Sequence, residues 1–283
     1  MKNLIIHKDQ CIKGKIFLPV IFILIVLQSV SGQSDNFPLG SRAAALGNAY
    51  SMESDLWSVQ HNQAGLGFYP HFSIGFHHEN KFVVSEYNLH AVAVSLPVNA
   101  GTFGVSYSYF GYSAYNESKV GLAFGKQFGN GFSAGIQVNY HHNYLEGEFG
   151  KRNTLSFEGG IQFKAGENVV LGAHLFNPTR AKISYVQDTI PTIFRTGVSL
   201  TPLEQIKVLF QMEKRLDSKL RLQSGLEYRL LESLYLRGGI MTQPFLSTFG
   251  LGYKIKKISA DVAFSRHQIL GFTPHFSLQV KLR

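Results

Sequence analysis

The sequence is almost without cysteine. Its single thiol, Cys11, lies in a basic leader upstream of an apolar core. The rest of the chain can form no disulfide and offers no thiolate as nucleophile or metal ligand. A lipoprotein anchor is excluded as well, because its cysteine would follow the apolar core. Long apolar runs are also missing: beyond Val30 nothing approaches the ~18 residues that signal a membrane-spanning helix. Acidic residues are few, 18 against 27 Lys and Arg, and the formal net charge is +9. That excess is scattered, with "KIKK" (Lys254 to Lys257) its densest point. Dispersed positive charge on an exported chain does not predict nucleic acid as a partner.

What is present falls into three parts. Residues 1–33 read as a secretory signal peptide: Lys2, Lys8, Lys13 and Lys15 precede "IFLPVIFILIVLQSV", and small residues follow. Residues 34–70 contain an Ala-rich stretch, "SRAAALGNAYSMESD", that reads as a short amphipathic helix, and then the Gly-punctuated "WSVQHNQAGLGFYP". Residues 71–283 alternate with a period of two. "TFGVSYSYF" sets Phe103, Val105, Tyr107 and Tyr109 against Gly104, Ser106 and Ser108. Ile136, Phe157, Leu222, Leu226 and Phe249 share the apolar phase of their own segments. One face suits hydrocarbon and the other suits water. About fourteen such segments occur, and ~10-residue dyad segments repeated in this way predict an all-β, transmembrane antiparallel barrel of about 14 strands.

The connections support the same reading. "PVNAG", "FGNG", "KAGEN", "TPLEQ" and "LES" are tight turns, and between them come longer stretches at 143–152, 177–191 and 266–274. Short turns and longer loops on alternate sides fit periplasmic and external rims. The last strand, "FTPHFSLQVKLR", is expected to close on the first near Ser73 to Glu79.

The segment "SRAAALGNAYSMESDLWSVQHNQAGLG" resembles the N-terminal segment of the FadL-like outer-membrane barrels, and particularly their PorV/PorQ-like branch. Arg42 to Gly47 match its first part, and Asn62, Ala64, Gly65 and Leu66 its last. Gln63 stands where the family usually has proline, which would leave the turn less rigid. The resemblance implies a bacterial outer-membrane location and a small helical hatch folded into the barrel. A fourteen-stranded lumen is too wide for side chains alone to fill. Gly65 facing Gly225 is one hatch-to-wall contact that this expectation suggests.

Charged residues on the inward phase include Glu158, Lys207, Glu213, Arg221, Glu227, Arg229, Arg237, Lys254, Asp261 and Lys281. Their mixed signs predict pairing across the lumen or with the hatch rather than a selectivity ring. His77–His78 and His141–His142 are adjacent on strands and point to opposite faces, so neither pair chelates a metal as a unit. Ser265, His267 and Asp261 could in principle share a face as hydrolase groups. No cofactor, metal or catalytic residue is expected. The PorV/PorQ resemblance implies a non-enzymatic accessory or scaffold barrel of a type IX secretion machine, with outer-membrane lipid, other envelope proteins or exported cargo as partners. The alternative is a FadL-like channel for hydrophobic small molecules, disfavoured on sequence by a polar inner phase and short loops.

Overall fold

The computed structural model describes residues 36–147, 150–182 and 190–282. The signal peptide read at 1–33 lies outside them. Among the described residues, fourteen antiparallel strands close into a barrel in chain order. They are β1 (Ser73–Asn80), β2 (Asn88–Val98), β3 (Gly101–Gly111), β4 (Tyr115–Phe128), β5 (Phe132–Leu145), β6 (Gly150–Lys164) and β7 (Val169–Phe176). The circuit continues through β8 (Ile193–Leu203), β9 (Ile206–Arg215), β10 (Arg221–Arg229), β11 (Leu234–Met241), β12 (Leu246–Ile255), β13 (Ile258–His267) and β14 (Gly271–Lys281). β14 pairs with β1, setting Lys281 opposite Ser73 and His275 opposite Glu79. Closure leaves no strand edge unpaired in hydrocarbon, and a bilayer tolerates a sheet only on that condition.

The outward phase is largely apolar. Ile136 is 68% exposed and Phe249 52%, and Phe103, Tyr107, Phe157, Leu222 and Leu226 face the same way. Exposure of this kind in a closed barrel is exposure to lipid, and the chain is an outer-membrane protein. Two stretches read as loops are largely strand: β5 continues to Leu145 and β6 starts at Gly150, while β13 continues to His267 and β14 starts at Gly271. Beyond the hydrocarbon the ladder persists but no longer needs an apolar outer phase, so the dyad signal fades before the hydrogen bonding does. The connection between β7 and β8 falls partly outside the described residues.

Inside the wall sit three single helical turns, α1 (Ser41–Ala45), α2 (Ser58–His61) and α3 (Ala64–Gly67). The expected amphipathic helix over residues 41–55 is therefore only one turn. Gly47 (φ 63°) and Asn48 (φ 61°) both take the left-handed conformation and end it. It has no watery face either, since Ser41 and Ala43 to Ala45 are all buried. Turns this short are not stable alone, and the wall holds them in place. The Gln63 substitution costs little rigidity: its φ of −63° suits proline, and its Nε2 donates to Val59 O at 3.1 Å.

The wall admits this hatch through a girdle of inward glycines. A methyl group at Gly225 would lie 2.7 Å from the Leu46 carbonyl oxygen, at Gly250 2.7 Å from Ala45 Cβ, and at Gly104 2.8 Å from Leu66 Cδ1. Gly125 and Gly135 press on the Gln63 main chain, and Gly172 on that of Ser51. The suggested contact of Gly65 with Gly225 is not made. Gly225 meets Leu46, and Gly65 turns into the hatch against Ser58 and the Glu53 carbonyl.

Two expectations follow. Ile136→Arg places a cation in lipid and should destabilise the barrel by ~2–4 kcal/mol if it lies near the midplane. Ser259→Glu, on the inner face opposite Lys254, should leave the urea midpoint of the heat-modifiable form nearly unchanged. Gly238 and Gly239 are neighbours on opposite faces of β11. Gly239→Ala would drive a methyl to 2.6 Å from the Leu46 carbonyl carbon, whereas at Gly238 the nearest atom is 3.8 Å away. Gly239→Ala should therefore cost about 1–3 kcal/mol and expose the hatch to protease, while Gly238→Ala should do neither.

Candidate functional site

The interior is organised around Arg42, carried into the lumen on α1. Its Nε donates to Glu227 Oε2 at 2.8 Å and its Nη2 to Glu227 Oε1 at 2.9 Å, a bidentate pair between hatch and β10. Nη2 also reaches Glu53 at 2.6 Å, and Nη1 reaches Asp55 at 3.3 Å and the Tyr50 hydroxyl at 2.9 Å. The chain of charge continues along the wall. Arg237 donates to Glu227 and to Asp261, each at 2.6 Å, and Lys207 donates to Glu53 at 3.0 Å. Planar guanidinium groups suit this role because each can face two carboxylates at once.

A second group lies further along β9 and β10 and extends onto their neighbours β6 to β8. Arg195 and Arg221 both bind Glu213 at 2.8 Å, and His174 Nε2 meets Glu158 at 2.9 Å. Glu158 also accepts from Gln137 and Asn139 at 2.8 Å. Arg229, read with the lumen charges, instead sits at the turn rim and pairs with exposed Glu204 at 3.4 Å. Among the three residues read as possible hydrolase groups there is no triad. Asp261 is held by Arg237, Ser265 bonds His275 at 2.9 Å, and His267 Nδ1 accepts from the Ile269 and Leu270 amides.

The hatch is also held by hydrogen bonds from its own motif residue Asn62 and from wall side chains that sequence reading missed. Asn62 Nδ2 donates to Ser51 O at 2.7 Å and to Ile161 O on β6 at 3.1 Å, while Oδ1 accepts from the Ala64 amide. Gln211 Oε1 takes the Tyr50 and Ser51 amides, and Gln162 Nε2 donates to the Ser51 and Glu53 carbonyls. Ser133 bonds Ala64 O, and Thr248 receives the Gly47 amide. These residues satisfy hatch main-chain groups that three single turns leave without helical partners. In sequence the wall residues among them show only as polar members of a dyad, with nothing to separate an anchor from a residue facing water.

A cavity of about 460 Å³ opens between the hatch and the rim of tight turns where β14 ends, lined by Glu53, Asp55, Tyr69, Lys207, Lys254 and Lys281 among others. A smaller one of about 100 Å³ lies on the loop side, beside Phe37, Gln60, His61 and Arg195. Between the two the hatch presents an apolar body. Leu39, Leu46, Tyr50, Met52, Leu56, Trp57, Val59 and Leu66 pack with Leu89, Ala91, Ala93, Ala123 and Leu209 of the wall. The polar inner phase of the strands thus understates how apolar the lumen is.

Burial and pairing compete for the hatch's ionisable groups. Burial alone would lower the Arg42 pKa, but Glu227, Tyr50 and Glu53 around it raise it well above the usual value. Burial opposes ionisation of Glu53, yet Lys207 and Arg42 hold it below the ordinary carboxylate range. For Asp55 burial wins over Arg42, and its pKa rises. Burial pushes the His61 imidazole down to about 3, and its Nε2 lies 2.8 Å from Leu39 O. An unfolded histidine binds a proton near 6.5, so the contribution of neutral His61 is complete above that value. It is lost as pH falls toward the folded value, at up to ~1.4 kcal/mol per unit. Protease access to the hatch should increase between pH 7 and pH 4.5, and His61→Asn should flatten that dependence.

No family profile and no curated protein matches the chain. Solved structures do match in fold. The Ralstonia pickettii toluene transporter TbuX aligns with a TM-score of 0.69 at 13% identity, over 86% of this chain and 98% of that one. The monoaromatic hydrocarbon channel CymD gives 0.64 at 11%, over 87% and 98%, and a Pseudomonas aeruginosa FadL homologue gives 0.60 at 12%, over 87% and 99%. These neighbours overturn the expectation of a secretion scaffold, which rested on the PorV/PorQ resemblance together with a polar inner phase and short loops. Over 86–87% of the chain the fold matches that of transport channels instead. The chain is a fourteen-stranded outer-membrane barrel with the FadL-type fold.

Proposed function

We propose that this barrel passes hydrophobic small molecules across the outer membrane, with passage rather than chemical turnover as its role. The observation that carries the reading is the end-to-end fit of its fold to hydrocarbon channels. Two features of the lumen support it. The hatch supplies an apolar body where the wall phase alone offers Gly, Ser and Gln. On the loop side, Phe37 and Phe110 lie 4.5 Å apart with Tyr87 alongside, and Lys81 Nζ caps the Phe37 ring at 3.9 Å. An aromatic cluster of this kind can take a flat hydrocarbon by ring stacking and by burial of its apolar surface. Because the hatch lies between the two lumen cavities, passage through the lumen requires it to shift. The PorV/PorQ likeness of Arg42 to Gly47 and Asn62 to Leu66 remains a sequence resemblance to which no role is attached.

The test is uptake of radiolabelled toluene by cells that lack their own hydrocarbon channels and express this chain. Uptake should rise severalfold over the empty vector. Phe37→Ala combined with Phe110→Ala should reduce it at unchanged levels of folded barrel. Uptake equal to the vector control, for toluene and for a long-chain fatty acid alike, would reject the channel reading.

A further inference from the structure

At the seam where the barrel closes, three buried side chains converge that neither the charge network nor the hatch anchoring uses. His77 and Glu79 stand two residues apart on the inner face of β1, and the β1–β14 ladder sets His275 directly opposite Glu79. His77 Nε2 lies 3.9 Å from Glu79 Oε2, and His275 Nδ1 lies 3.4 Å from the same oxygen. One ligand atom from each residue falls within 4.8 Å of the others. All three residues are buried, and His77 is fully so. Neither His77 nitrogen has a hydrogen-bond partner, nor does His275 Nδ1. Buried polar atoms are seldom left unpaired, and two from different strands, His77 Nε2 and His275 Nδ1, beside one carboxylate need an explanation.

We propose that His77, Glu79 and His275 bind a divalent transition-metal ion, with zinc the best fit. Zinc at 2.0–2.1 Å from each donor in tetrahedral geometry requires donor separations of about 3.3–3.4 Å. Of the three separations, His275 to Glu79 already meets this at 3.4 Å, His77 to Glu79 must contract by about half an ångström, and the two imidazole nitrogens, within 4.8 Å of each other, must draw in around the ion. Two imidazoles and one carboxylate suit zinc or its neighbours in the first transition row, whereas calcium and magnesium require more oxygen donors. The surroundings favour the same ion. His275 Nε2 is 2.9 Å from Ser265 Oγ, which orients Nδ1 toward Glu79 as outer partners of metal-bound histidines do. Trp57 of the hatch stands edge-on to His77 with centroids 5.9 Å apart, screening the site from the lumen. The ion would join the first strand to the last beside the hatch. The adjacent-histidine rule holds, since His78 points outward, but it considers one strand only, and this site is assembled across two. Ser265, His275 and Glu79 also line up as a nucleophile relay, but that arrangement gives His77 no role, whereas the metal site uses its Nε2.

The experiment uses the full chain, folded in detergent, stripped with a chelator and titrated with zinc chloride against a chromophoric competitor. One equivalent of zinc per barrel is expected. His77→Ala and Glu79→Gln should each weaken binding by at least about tenfold, the scale on which even outer partners act. The exposed His78–His90 pair, whose Nδ1 atoms are 3.3 Å apart on the outer face, is the competing surface site. His78→Ala should leave the affinity unchanged, and cobalt in place of zinc should give the visible absorption of a tetrahedral centre. Heat modifiability reports whether each variant folds, and if His77→Ala does not, the isosteric Glu79→Gln decides. Failure to bind an equivalent of zinc would overturn the proposal, and so would binding lost with His78→Ala. Labelling of Ser265 by a fluorophosphonate, indifferent to zinc, would overturn it in favour of the nucleophile relay.

Discussion

The rest of the structure depends on how closely the hatch can approach the wall. A closed sheet of fourteen strands leaves a lumen that its own side chains cannot fill, and three short helical turns cannot stand alone. Each needs the other, and they meet where the wall has no Cβ. Removing the side chain from one inward position on most strands brings hatch main chain against wall main chain. At that distance, single Asn, Gln, Ser and Thr side chains can satisfy hatch peptide groups directly. Packing and hydrogen bonding here are consequences of one steric decision taken strand by strand.

Charge is arranged on the same frame. Arg42 enters the lumen on the first hatch turn and meets Glu227, which already shares Arg237 and, through it, Asp261. A buried ion pair gives little net stability against a hydrophobic alternative, but breaking one leaves an uncompensated charge at a cost of about 3–5 kcal/mol. The network therefore fixes where the hatch sits more than how strongly it is held, and a misplaced hatch would strand several charges together.

Much of this was legible in the sequence, for identifiable reasons. A strand with lipid on one side must alternate, so Phe103, Ile136 and Phe249 declared their faces, and Ser73 to Glu79 was recognisable as the partner of the last strand. Strand ends were harder, because past the hydrocarbon the outward residues need not be apolar, and so Asn143 to Leu145 and Gly150 to Arg152 read as loop. The hatch was visible as a composition, but its helix was over-read, since Gly47 and Asn48 stop it after one turn. Inward charges were identifiable singly, whereas their partners were not: Glu227 with Arg42 is a contact across 185 residues. Arg229 shows the limit of phase alone, which says which way a residue points and not how near the rim it stands. The seam site was invisible for the same reason, because it needs the β1–β14 register. The functional reading erred by counting only the wall's inner face, to which the hatch adds its apolar surface.

The seam also bears on the order of events during insertion. The hatch precedes β1 in the chain, and β1 finds its second neighbour only when β14, the last strand made, arrives beside it. Until then the cylinder is open along one side and the N-terminal segment can enter sideways. Once Glu79 and His275 are paired, a hatch with wall contacts on nearly every strand has no lateral route in. Enclosure of the hatch and completion of the cylinder are then a single step, carried out by the two ends of the polypeptide together.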